Sequence, residues 1–225
     1  MSACRWKGAI PPGTSYFPLS PDSVWTYQIM SRSQATIFQV TDRVVGIKYV
    51  PALKVTGSVV DESYSLSRGG TRPLIYYAKN GYLARLSALG YDEEKIEAPA
   101  WGRSEEAQFL PIALVPHLKW SNVIFPYGHM AGSFDVNQTH RTFYEPKVIS
   151  VPAGNFSSCI RIETDAIYEG GNYSGSNRPP KLCYMDWYAP NVGLVRTVAL
   201  EANGSELERV ELIHYKVQQP KQAGN

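Results

Sequence analysis

The side chains able to do chemistry in this chain are few and scattered. The four histidines, His117, His129, His140 and His214, show no H-x-x-x-H spacing, and none has a cysteine near it in sequence. A zinc site needs three or four ligands gathered by short, regular spacings, so the pattern supports no metal site; His129 and His140 have only the chance of meeting across a hairpin. No G-x-S-x-G elbow, P-loop or G-x-G-x-x-G segment occurs, which removes the usual signatures of a serine nucleophile or a nucleotide cofactor. Paired carboxylates remain, such as Glu163 with Asp165 on one strand face and Asp61 with Glu62 in a turn. General acid–base work needs one member buried with a raised pKa, and the simpler reading is solvated carboxylates. No catalytic residue and no cofactor is assigned. The expectation is a protein that is not an enzyme, with a hydrolase of unrecognised type as the remote alternative.

The three cysteines say more. Ser2-Ala3-Cys4 has the small-small-Cys pattern that ends a bacterial lipoprotein signal, where cleavage leaves the cysteine as a lipidated N-terminus. Met1 then stands in place of a longer leader; the plain alternative is an ordinary cysteine near a chain start. With Cys4 as lipid carrier, Cys159 and Cys183 are an even pair that an oxidising compartment can bridge. They fall on consecutive expected strands, and the register decides, because Cα atoms more than roughly 7 Å apart cannot be joined. A disulfide and two buried free thiols both stay open.

These residues must be positioned by a strand-rich body. A hydrophobic fraction of 44% against 19% charged suffices for a folded core. The 15 tyrosines and five tryptophans favour pleated, half-buried surfaces. A net charge of +2 without a basic run lacks the electrostatic footprint of nucleic-acid binding. No apolar stretch approaches the length of a membrane-spanning helix.

Residues 1–15, with Gly8, Pro11, Pro12 and Gly13, read as a flexible tether. Residues 16–217 read as a single β-rich domain and 218–225 as a frayed tail. Strands are expected at 24–30, 36–40, 44–49, 53–60, 63–67, 74–78, 82–86, 109–115, 142–149, 159–168, 182–188, 194–201 and 208–215. Turn chemistry separates them: Pro21-Asp22-Ser23, Gly69-Gly70, and Asn80-Gly81, whose positive φ preference marks a type I′ hairpin. Residues 92–108 suit a short helix or a crossing loop, and Gly170 to Pro180 a long polar loop. Ile160 and Ile162 alternate with Arg161 and Glu163, as one apolar and one wet face require. The expected fold is all-β, a large curved antiparallel sheet or partly closed barrel.

Three segments together resemble a widespread group of uncharacterised bacterial secreted proteins and lipoproteins. Tyr16-Phe17-Pro18-Leu19 with Val24-Trp25-Thr26-Tyr27 resembles that group's YFPL…WTY opening. Val151-Pro152-Ala153-Gly154-Asn155-Phe156 with Cys159 resembles its VPAGTF…C turn and strand, and Tyr188-Ala189-Pro190-Asn191-Val192-Gly193-Leu194-Val195 its YAPGVGLV element. Asn191 replaces the usual glycine, a change that asparagine's tolerance of positive φ permits. The resemblance implies an envelope location, frequently through N-terminal lipidation at a residue such as Cys4, an all-β fold, and no established catalysis. Four N-x-S/T sequons at Asn137, Asn155, Asn172 and Asn203 then reflect turn-rich composition.

Two functions follow as expectations. The first is a membrane-tethered binding or scaffold lipoprotein on the periplasmic side of the bacterial envelope. It would contact the membrane surface through its lipid and serve as an accessory subunit to a membrane protein or complex. Its docking surface would be exposed loop aromatics, Trp120, Phe125, Tyr127 and Tyr173. The second is a carrier or chaperone holding an apolar ligand in a half-barrel. The two differ in one observable, since the carrier requires a lined cavity of several hundred Å3 and the scaffold a filled core.

Overall fold

The computed structural model describes residues 15–32, 34–50, 54–65, 71–87, 107–124, 135–169 and 181–218. Among them run fourteen strands and no helix: β1 (Val24–Ser31), β2 (Gln34–Val50), β3 (Val55–Tyr64), β4 (Thr71–Lys79), β5 (Tyr82–Ser87), β6 (Ala107–Pro111), β7 (Lys119–Ile124), β8 (Asp135–Tyr144), β9 (Ile149–Val151), β10 (Gly154–Phe156), β11 (Ile160–Glu169), β12 (Lys181–Ala189), β13 (Gly193–Glu201) and β14 (Glu206–Lys216). Twelve form one sheet in the order β6-β5-β4-β3-β2-β1-β14-β13-β12-β11-β8-β7, and β9 and β10 make a separate hairpin. Neighbours in the large sheet pair antiparallel throughout.

A twisted sheet of more than about ten strands has to curl, and this one curls until its two edges approach. No ladder joins β6 to β7 among the described residues. Instead Tyr82 and Trp120 bring their rings to 6.4 Å across the seam, within a cluster that includes Leu110, Leu114 and Ile160. The expected all-β curved sheet is what the chain forms.

Several local expectations change. Residues 34–50 are one long strand instead of two, bulged where Val44 and Gly46 oppose Val60 and Val59, so that two residues face one and the strand bends. The extra residue reverses the alternation along β2, which stays paired with β3, so that Val50 points to the other face of the sheet and packs with Ile75, Tyr77 and Ala84. Residues 55–64 are likewise a single strand. The region 119–124, expected to belong to a loop, is β7. Asn80 and Gly81 adopt positive φ, 50° and 79°, at the β4–β5 turn, as that dipeptide demands.

The three segments that carry the family resemblance converge at one place. Asn191, at φ 60°, donates its backbone N–H to Ser15 O at 2.7 Å, and its side-chain Oδ1 accepts from Ser15 N at 3.1 Å. Trp25 Nε1 donates to Val192 O at 2.6 Å, and the Tyr16 hydroxyl donates to Ser158 O at 3.2 Å. The β9–β10 hairpin is held by Ala153 N donating to Leu212 O and by Phe156 packed 5.8 Å from Tyr215. Residues 15–19 therefore lie as a strap pinned to the β12–β13 turn, and Phe17, Pro18 and Leu19 reach the space enclosed by the sheet.

Candidate functional site

The enclosed space is not filled. Inward positions on alternate residues of each strand leave two adjoining cavities of about 320 Å3 and 300 Å3. The first has walls of aromatic and aliphatic side chains, among them Phe17, Trp25, Tyr27, Tyr76 and Val210, with Asp42, Glu62 and Thr197 set into them. The second is lined by neutral polar groups, Asn122, Gln138, His140, Thr164 and Tyr184, beside Trp120 and Ile162. Four residues, Arg85, Phe109, Asp186 and Tyr188, line both and form a waist between them.

The waist carries charge. Arg85 stands over the Phe109 ring, with its guanidinium carbon 5.1 Å from the centroid, and donates to the Tyr76 hydroxyl. Asp186 accepts from the Thr197 hydroxyl at 2.7 Å. Burial pushes the Asp186 carboxyl up to about 6, against the opposing pull of that hydrogen bond. Asp186 lies deep in the sheet yet keeps part of its surface, because it looks into the cavities. Tyr188 feels both charges, Asp186 raising and Arg85 lowering its pKa, while burial keeps the phenol well above its ordinary value. Burial also pushes Tyr76 up to about 12, so both phenols are neutral hydrogen-bonding groups. In the first cavity Asp42 and Glu62 stand opposite each other in the β2–β3 register, and the Tyr64 hydroxyl donates to Glu62.

His140 occupies the second cavity as a fixed neutral ring. It stacks on Trp120 at 4.6 Å and 14°, with Nε2 3.2 Å from Asn122 Oδ1 and Nδ1 2.8 Å from the Thr164 hydroxyl. With an amide oxygen as acceptor, Nε2 carries the proton and Nδ1 accepts from Thr164. Burial lowers its pKa to about 4. Trp120 Nε1 is buried without a hydrogen-bond partner.

The sequence placed several of these residues elsewhere. Trp120 is 6% exposed and turned inward, which removes it from the expected docking surface; pairing of β7 with β8, Trp120 opposite His140, fixes its direction. Phe125, Tyr127 and Tyr173 lie outside the described residues, as do Cys4 and His129. Glu62 lies within β3 facing the cavity instead of in a turn. Glu163 and Asp165 do face outward, paired with Arg161 at 2.9 Å and with Arg141 and Lys181 at 3.1 and 3.0 Å; they are ion-pairing partners on the wet side. No group of three or more His, Cys, Asp or Glu among the described residues has the arrangement of a metal site.

The register settles the distance between the two remaining cysteines. Cys183 pairs with Asp165, whereas Cys159 lies one residue before Ile160, the partner of Tyr188. At about 3.4 Å per residue this sets them roughly 20 Å apart, too far for a bridge, and both are free thiols. Cys159 is enclosed, with Sγ 3.7 Å from Phe156 O, and burial pushes its thiol up to about 12, with Glu145 adding to the shift.

Sequence reasoning missed both Arg85 and Asp186, but Asp186 does leave a signal. Leu182, Tyr184, Asp186 and Tyr188 form the inward row of β12, so an acidic residue interrupts an otherwise aromatic and aliphatic face.

Two crystal structures share this fold. One is of a predicted lipoprotein from Parabacteroides distasonis, 17% identical, with a TM-score of 0.60 over 90% of this chain and 99% of that one. The other is of a predicted exported protein with a YmcC-like fold from Bacteroides fragilis, 13% identical, with a TM-score of 0.58 over 90% and 99%. No family model matches the chain, and no curated protein does. At these identities the likeness is one of fold.

Proposed function

We propose that this is a non-enzymatic protein of the bacterial cell envelope, lipid-anchored through Cys4, that carries a small amphipathic ligand in the lumen of its sheet. The observation that carries the reading is the pair of adjoining cavities, about 320 Å3 and 300 Å3. A scaffold needs a filled core, while cavities of this size with apolar walls and a few convergent polar groups are the usual form of a ligand site. The envelope location draws support from Ser2-Ala3-Cys4 and from the two fold neighbours, predicted to be a lipoprotein and an exported protein.

Catalysis has little support in this lumen. Among the described residues, the histidine that lines it is held neutral between Thr164 and Asn122, and no nucleophile stands beside a base at the waist.

Two measurements test the proposal. Intact mass spectrometry of protein isolated from native membranes is expected to give a chain starting at an acylated Cys4; an unmodified chain starting at Met1 or Ser2 removes the anchor. Titration with N-phenyl-1-naphthylamine, a neutral apolar fluorophore, is expected to show saturable binding in the folded protein. Absence of saturable binding, with no small molecule recovered on solvent extraction of the native protein, returns the scaffold and accessory-subunit reading to first place.

A further inference from the structure

The waist of the lumen holds one cation and one anion that have not found each other. Among the described residues, Arg85 and Asp186 take part in no ion pair, although both line both cavities. The contacts of Arg85 are a phenol and an aromatic ring; that of Asp186 is one hydroxyl. An interior charge is costly unless it is paired and hydrogen-bonded, and a guanidinium cannot escape by losing its proton. Elsewhere this protein pairs such groups. The buried Glu145 binds Arg161 at 3.3 Å and the Trp187 indole at 3.2 Å, and Arg196 binds Glu211 at 2.8 Å. The two charges of the waist are not paired in this way, and the waist opens onto space.

We propose that the waist is the receptor for a zwitterionic group, with Arg85 taking the carboxylate or phosphate of the ligand and Asp186 its ammonium, while the apolar body of the ligand fills the aromatic cavity. The inference rests on the carrier reading above and names the chemistry of its ligand. The second cavity offers Asn122, Gln138 and Tyr184, together with the unpartnered Trp120 Nε1–H, to neutral donors and acceptors adjoining the charged group. Amino-acid-type ligands, such as a short hydrophobic peptide, and phosphoethanolamine lipids both have this chemistry. Each cavity, near 300 Å3, sets the scale of the body admitted.

The test is calorimetric titration of the full-length protein with charge-edited probes. These are the dipeptide Leu-Phe, its N-acetyl, C-amide and doubly blocked forms, and dihexanoyl-phosphatidylethanolamine beside dihexanoyl-glycerol. Blocking either charged end is expected to weaken binding at least about tenfold, the scale of a charge-assisted hydrogen bond. In Arg85→Gln, blocking the carboxylate no longer matters while blocking the amine still does. Asp186→Asn behaves in the reverse sense, and Arg85→Lys keeps the wild-type preference. Such cross-matched losses isolate each pair from general damage to the fold. Tighter binding of the dipeptide or of the lipid, with its own charge dependence intact, assigns the source of the ligand. If the neutral forms bind as well as the zwitterions, or if the two variants keep both preferences, the inference is overturned and the carrier reading stands on N-phenyl-1-naphthylamine binding. If neither the fluorophore nor any probe enters, both fall.

Discussion

His140 and Asp186 face the same second cavity and make opposite contributions to the pH dependence of stability. Burial lowers His140 to about 4 from an unfolded value near 6.5. Its contribution is therefore fully present above about pH 6.5 and is lost as pH falls toward 4, because the unfolded chain takes up the proton first. The drop is expected to reach about 3 kcal/mol across that window, and urea unfolding of His140→Asn at pH 7 and pH 4.5 should show a shallower fall than wild type. Asp186 runs the other way. Its folded value near 6 lies above the unfolded one, so its contribution is fully present below about pH 4 and is lost as pH rises through 6. Asp186→Asn keeps an acceptor for Thr197 and is expected to be more stable than wild type by roughly 2 kcal/mol at pH 7.5, with the gap closing by pH 4. A gap that widens toward acid would refute the assignment. Cys159 gives a third outcome at this scale. Fully enclosed and with its thiol held protonated, it should resist iodoacetamide in the native protein. The non-reduced mass should show no loss of two protons from a Cys159–Cys183 bridge.

At the scale of elements, the turns were legible in the sequence because single residue types dictate them. Asn80-Gly81 and Asn191 name their own backbone angles, and the alternation around Ile160 names the inward face of β11. The bulge in β2 was not legible. Its signal is one glycine, Gly46, in a run that alternates on either side, and only the partner strand β3 shows that two residues oppose one. The inward direction of Trp120 was hidden for a related reason, since it depends on which strand β7 joins. Two glycines near the bulge make the packing testable. A Cβ on Gly57 would stand 2.8 Å from Tyr76 O and 2.9 Å from Ile75 Cγ2, so Gly57→Ala should destabilise by about 1–3 kcal/mol. Gly46 has open space where its Cβ would go, and Gly46→Ala should stay within about 0.5 kcal/mol. Thermal unfolding of the pair, with equal effects at both sites, would contradict the close approach of β3 to β4.

For the whole molecule, the curl of the sheet creates the lumen, and the sequence held that least. Strand order, the near meeting of β6 and β7, and the volume left inside are sums over twelve strands, and no local pattern records them. The charged residues of the waist come from β5 and β12, which lie on opposite arms of the sheet, seven places apart in its order, and meet across the lumen because of that curl. A half-barrel cavity was therefore expected only as the second reading, beside a scaffold with a filled core, and its residues were not foreseen.

The strap at residues 15–19 has a mechanical side. Ser15 is held to the β12–β13 turn by two hydrogen bonds, both to Asn191, and the next residues roof the first cavity. A load applied at Ser15 is thus borne by this clasp and by Phe17, wedged 5.1 Å from Tyr76 and 5.3 Å from Phe109, before β1 feels it. Force at Ser15 acts on the roof of the lumen.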